Sequence, residues 1–217
     1  MQAHLNKLQQ GLSANQRLQQ IVTHGMCIGC GICESLSDNI SVELVHNGFE
    51  RPLVSGELDD KTMDTITAVC PGTRLEGLPP SLTDPDAQTD PVWGVIQENY
   101  LAYSADPEVR HLASTGGLLT GLALYLLDSG ECDFIVHARA SEQHPSFGEP
   151  CISRNRADVL HAAGSRYGPT ATLRHIHAAL DEAQQQQLQF AFIGTPCDVS
   201  ALRNLARIDP RVDQHCQ

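Results

Sequence analysis

Apolar and polar positions alternate in two different ways along this chain, and the change comes near residue 80. In residues 5–24, Leu5, Leu8, Leu12, Leu18 and Ile21 recur at loosely helical spacing, with Ser13 placed to cap a helix. Ile40, Val42 and Leu44 then alternate with polar residues, and Phe49, Arg51 and Leu53 form a second such run. Asn47-Gly48 between the runs predicts a tight β-hairpin. Residues 57–69 read as a helix with Leu58, Met63, Ile66 and Val69 turned inward, and Pro71-Gly72 ends it.

Residues 78–91 are rich in proline and aspartate, support little regular structure and predict a connector. Beyond them strands and helices alternate. Tyr100–Tyr103 reads as a strand, Ser114-Thr115-Gly116-Gly117 opens a helix carrying Leu118, Leu119, Leu122, Tyr125 and Leu126, and Phe134–Ala138 reads as a buried strand. Residues 171–185 predict a helix, residues 188–193 a strand, and residues 198–207 a last helix after Gly194-Thr195-Pro196-Cys197. The glutamine run 184–187 reads as an exposed helix end. The expected class is α/β for the second part and α+β overall. The expected division is a first module over 1–77, a linker over 78–91 and an α/β domain over 92–217.

Composition narrows the function classes. The net charge of −12 over 217 residues, with Lys7 and Lys61 the sole lysines, excludes nucleic acid as the expected partner, because its phosphates are repelled. Residues 1–20 lack an apolar signal core and no apolar run reaches membrane-spanning length, so a cytoplasmic chain without a membrane span is expected. The eight cysteines have metal-like spacing rather than that of a disulfide framework.

The strongest chemical signal lies inside the first module. Cys27, Cys30 and Cys33 stand at Cys-x-x-Cys-x-x-Cys spacing, so one tight loop can turn three sulfurs toward a single centre. Gly29 and Gly31 let that loop curl and bring N–H groups near sulfur. Paired cysteines suit tetrahedral zinc, whereas three near thiols and a remote one before proline, here Cys70-Pro71, follow the ferredoxin pattern for a 4Fe-4S cluster. Zinc remains the alternative on spacing alone. His24 beside the loop reads as a solvated histidine.

Three stretches of the second part suit a ligand. Ser114-Thr115-Gly116-Gly117 offers backbone N–H groups and hydroxyls at a helix start, and Gly194-Thr195-Pro196-Cys197 does the same after a strand. Ser165-Arg166-Tyr167 offers a guanidinium for a phosphate and a ring for stacking. Cys197 and Arg203 have the spacing of cysteine phosphatases, but the acid and the lack of glycine between them predict an ordinary helical turn. Cys132 and Cys151 read as core thiols.

Taken together, Cys-Ile-Gly-Cys-Gly-Ile-Cys (27–33), Cys-Pro-Gly (70–72), Ser-Thr-Gly-Gly-Leu-Leu-Thr-Gly-Leu (114–122), Ala-Gly-Ser-Arg-Tyr (163–167) and Gly-Thr-Pro-Cys-Asp-Val-Ser-Ala-Leu-Arg (194–203) resemble the beta-subunit family of coenzyme F420 (deazaflavin) hydrogenases and dehydrogenases. That family includes formate dehydrogenase beta subunits and ferredoxin-dependent reductases of chlorophyll hydroxymethyl or vinyl groups. The resemblance implies a ferredoxin-like iron–sulfur module followed by a flavin-binding α/β domain. It implies a 4Fe-4S cluster on Cys27, Cys30, Cys33 and Cys70, and FAD lined by Ser114, Thr115, Gly116, Gly117 and Thr120, with Ser165, Arg166, Tyr167, Gly194 and Thr195 near it. Cys197 is implied near the flavin or a second cluster. The implied activity is that of an oxidoreductase subunit passing electrons between cluster and FAD, to or from a deazaflavin, ferredoxin or pigment-type substrate. Ferredoxin or a hydrogenase or dehydrogenase subunit is the implied redox partner. The family pattern also continues past Gly-Thr-Pro-Cys, which implies that the flavin domain is cut short at its C-terminus. The alternative is an electron-transfer or assembly module carrying a cluster but neither flavin nor catalysis of its own.

Overall fold

The structure, a computed structural model, describes residues 9–77 and 83–217. Helix α1 (Ala14–Thr23) starts at Ser13, where a capping box joins the Ser13 hydroxyl to the Gln16 N–H and the Gln16 side chain to the Ser13 N–H. Leu5 and Leu8 lie outside the described residues. Strands β1 (Ile40–Leu44) and β2 (Glu50–Val54) pair antiparallel around the Asn47-Gly48 turn as expected. Helix α2 (Asp60–Val69) is capped by the Asp59 carboxylate and ends at Cys70. Its buried face carries Met63, Ile66 and Val69, and Leu58 just before it is buried too.

The described part of the connector, residues 83–91, contributes a strand. Gln88–Asp90 (β3) pairs with Gly94–Ile96 (β4) in a small exposed hairpin. The strand expected at Tyr100–Tyr103 does not form. That segment is exposed coil with no sheet edge beside it among the described residues, so its aromatic residues gain nothing from extension. Helices α3 (Pro107–Leu112) and α4 (Leu118–Ser129) follow, joined by a turn at Thr115–Gly117. In α4 the buried residues are Ala123 and Leu124, while Leu119, Leu122 and Tyr125 face outward.

The central sheet has the order β6-β5-β7. Strand β5 (Phe134–Ala140) pairs antiparallel with β6 (Gly148–Ser153) and parallel with β7 (Phe190–Phe192). Helix α5 (Arg156–His161) follows β6, and α6 (Ile176–Gln186) begins five residues later than the periodicity predicts because residues 171–175 form a turn against the cysteine loop. Helices α7 (Pro196–Ala206) and α8 (Arg211–His215) complete the chain. The architecture is mixed α+β. Among the described residues no helix is long and apolar enough to cross a membrane.

One core ties the two ends of the sequence together. Ile32 and Val69 pack with Phe134, Leu173, Leu180 and Leu205, and Phe134 stacks on Phe190 at 5.2 Å. The Leu173 N–H also donates to the Cys30 carbonyl at 2.9 Å. On the other face of β5, Ile135 joins Val109, Leu124 and Val159 under α4 and α5. The cysteine loop is therefore seated on the sheet layer rather than held at a distance from it.

Candidate cluster loop and cofactor cavity

The four predicted ligand cysteines come from two chain segments that meet. Gly31 adopts a left-handed backbone (φ +85°), and a side chain there would run into Ala171 and Arg174, so only glycine lets the loop lie this close to the 171–174 turn. At the far end, a side chain on Gly72 would collide with the Met26 carbonyl. The Cys70-Pro71-Gly72 turn thus rests on the start of the cysteine loop, and Cys27, Cys33 and Cys70 pack against one apolar cluster with Met26.

The electrostatics show the same proximity. Burial pushes the thiols of Cys30, Cys33 and Cys70 up, Cys33 to about 12, and their sulfurs raise one another further. Against this, the N–H of Ile32 faces the Cys30 sulfur, and those of Gly72 and Thr73 face Cys70. As placed, the described residues contain no closed set of three or more metal-holding side chains. The four thiols are neighbours. Their surroundings fit a bound metal centre: buried sulfurs that resist ionisation without a cation, and amide hydrogens aimed at them. His24 is exposed and engages the Gln20 carbonyl of its own helix at 2.8 Å.

The predicted loops of the second part surround one cavity of about 610 Å³. Its walls include Ser114, Thr115 and Thr120 on one side, Ser165, Arg166 and Tyr167 on another, and Gly194, Thr195 and Cys197 on a third. Two of these loops are tied directly, because the Ser165 N–H donates to Ser114 Oγ at 2.8 Å. Another cavity, of about 690 Å³, lies among residues 84–100 and touches none of the predicted residues.

Gly116 and Gly117 are absent from the wall. Both are left-handed (φ +66° and +72°), and a side chain would meet Tyr103 at the first and Val109 at the second, each at 2.9 Å. They shape the turn that aims Ser114 and Thr115, and a larger residue at 116 strains this turn instead of filling the cavity. Cys197 stands in the first turn of α7, 3.0 Å from Thr195 Oγ1. Arg203 lies on the same continuous helix and is ion-paired with Asp213, so no phosphate-binding loop spans Cys197 to Arg203.

Among the wall residues that the sequence does not mark as site residues are Ile28, Asp198, Thr172 and His137. Ile28 projects from the cysteine loop into this cavity's lining, so the two predicted sites share a wall. Asp198 is buried, accepts hydrogen bonds from the Thr195 N–H (3.1 Å) and hydroxyl (2.8 Å), and has its carboxyl raised by burial. Thr172 joins it from the turn beside Cys30. His137, from β5, forms part of the floor. The one signal for it was a histidine inside the otherwise apolar run Phe134–Ala138.

Comparison with known proteins bears on these loops. The family model described as coenzyme F420 hydrogenase/dehydrogenase, beta subunit N-term, matches residues 99–177. The coenzyme F420 hydrogenase subunit beta of Methanothermobacter thermautotrophicus is 28% identical over 112 residues, 52% of this chain and 39% of that protein. The coenzyme F420-dependent sulfite reductase of Methanocaldococcus jannaschii is 26% identical over 196 residues, 87% of this chain and 26% of that protein. A chain of the F420-reducing NiFe hydrogenase complex of Methanosarcina barkeri is 27% identical with a TM-score of 0.44, over 50% of this chain and 36% of that one. The chain spans between about a quarter and two-fifths of the length of the curated relatives it matches.

Proposed function

The chain belongs to the coenzyme F420 hydrogenase/dehydrogenase beta-subunit family, and from that premise we propose an electron-transferring oxidoreductase subunit with a 4Fe-4S cluster and FAD. The observation that carries this reading is the shared wall: Ile28, between Cys27 and Cys30, lines the same cavity as the Ser114, Ser165 and Thr195 loops. When bound, the cluster supplies single electrons and the flavin couples them to two-electron chemistry.

In this reading Cys27, Cys30, Cys33 and Cys70 hold the cluster after side-chain rotation toward one centre, with residues 1–77 as its module and 92–217 as the flavin domain. Arg166 stands at the cavity wall with no carboxylate partner among the described residues, its Nη1 donating only to the Ser165 carbonyl. A guanidinium with free donors at this wall supports a phosphate contact here. Ser114 and Thr115 add hydroxyls beside it, and Leu118 and Ile193 supply an apolar wall for a ring. Ile28 and Thr172 form the part of the cavity lining that lies beside the cysteine loop. The relatives' names carry coenzyme F420, and one names a hydrogenase subunit, which supports a deazaflavin substrate and a protein partner for this chain.

Anaerobic purification followed by assay of iron, acid-labile sulfide and acid-released flavin tests this. Iron and sulfide in equal amounts together with FAD are expected, and Cys70→Ser should lose the iron while Cys132→Ser keeps it. Colourless protein with zinc and no sulfide would overturn the cluster assignment. Cluster without flavin, even after incubation with FAD, would leave the non-catalytic electron-transfer module.

A further inference from the structure

We infer that His137 is a direct hydrogen-bonding contact for the polar edge of the flavin ring, held in place for that task by Ser153. The inference rests on the proposed flavin cavity and goes beyond it, because it assigns a residue on the sheet floor rather than in the three loops.

His137 is 8% exposed and Ser153 1% exposed, yet both are polar, and His137 lines the cavity. The register pairs Ile135 with Ser153 and His137 with Cys151, so the strand alternation places Ser153 and His137 on one face of the sheet, the face under α4 and α5. There His137 Nε2 meets Ser153 Oγ at 2.7 Å, the ring's one hydrogen-bond partner among the described residues. The serine hydroxyl can donate or accept, so it tolerates either tautomer and leaves Nδ1 without a protein hydrogen bond among the described residues, open to a ligand. The cavity lining also includes Ala123, Val159 and Ile193, which pack with Ile135 on the same sheet face, and the apolar Ala162.

A buried polar group survives in such a place when something bonds to it. The floor's chemistry selects that something. Apolar side chains suit the face of a planar heteroaromatic ring, while the ring's edge carries carbonyl and amide groups that need a partner out of water. Arg166 and the hydroxyl-bearing loops already serve an anionic end, so the imidazole falls to the ring end. Burial holds His137 near a pKa of about 4, so it meets the ring uncharged at neutral pH and can donate or accept as the ring requires.

The test uses FAD added to the full chain, with affinity read by flavin fluorescence and the visible absorption band of bound flavin recorded. His137→Asn keeps a polar atom near Nδ1, whereas His137→Gln keeps one near Nε2 and His137→Leu keeps neither. Asn is expected to bind FAD within about threefold of wild type, while Gln and Leu lose about tenfold, near 1.4 kcal/mol, and shift the absorption band. Ser153→Ala, which leaves the imidazole but frees it, is expected to weaken binding about threefold and to keep the helical circular dichroism, so it reports even where a His137 variant unfolds. Equal affinity and spectrum in Leu and wild type, or an unchanged affinity in Ser153→Ala, would overturn the role of His137 alone. Failure of the wild-type chain to take up FAD would overturn the flavin reading and this inference with it.

Discussion

His137 has a measurable consequence even without a ligand. Its pKa falls from an ordinary 6.5 to about 4 because the folded protein buries it. The unfolded chain then binds a proton between these values that the folded chain refuses, so this residue's contribution is complete above pH 6.5 and is lost as pH falls toward 4. The expected loss approaches about 3 kcal/mol across that window. Denaturant titrations of wild type and His137→Asn at several pH values check it, since the variant's stability should fall less steeply. At this scale the sequence marks residues that stand at a telling spacing and leaves others silent. Cys27, Cys30, Cys33 and Cys70 announce themselves by spacing. His137, Asp198 and Thr172 become wall residues only when β5, α7 and the 171–175 turn come together, and no local pattern records that meeting.

Among the elements, helix starts and turns were the most legible, because capping is written in adjacent residues. Ser13 and Asn47-Gly48 behave as their chemistry dictates. The turn into α4 is the instructive case. Ser-Thr-Gly-Gly was expected to give four ligand contacts, yet it divides into two wall residues and two glycines with their backs to Val109 and Tyr103. Gly117→Ala should therefore cost about 1–3 kcal/mol through left-handed backbone and crowding. Thermal denaturation would show it as a lowered midpoint, and FAD affinity of the remaining folded protein should change little. The Tyr100–Tyr103 expectation failed for the complementary reason. Strand-forming residues need a neighbouring edge, and this segment has none among the described residues.

Across the whole molecule, the cysteine loop and the sheet share a core. Ile32 is 1% exposed and sits with Val69, Phe134 and Leu173, so it is bound to both parts of the sequence at once. Ile32→Ala should cost about 2–5 kcal/mol, and iron loss and loss of helical circular dichroism should coincide in one denaturant transition. Two separated transitions would show the parts to be independent. What the sequence determined by itself was the local chemistry: thiol spacing, capping, a tight hairpin, and which loops carry hydroxyls, glycines and an arginine. Those depend on residues within a few positions of one another. Only the tertiary structure decided that Ile28 of the cysteine loop and the three loops of the second part face one cavity, and that its floor holds a buried His137–Ser153 pair. Such contacts join positions far apart in the chain, and packing and strand register set them, which no short stretch of sequence encodes.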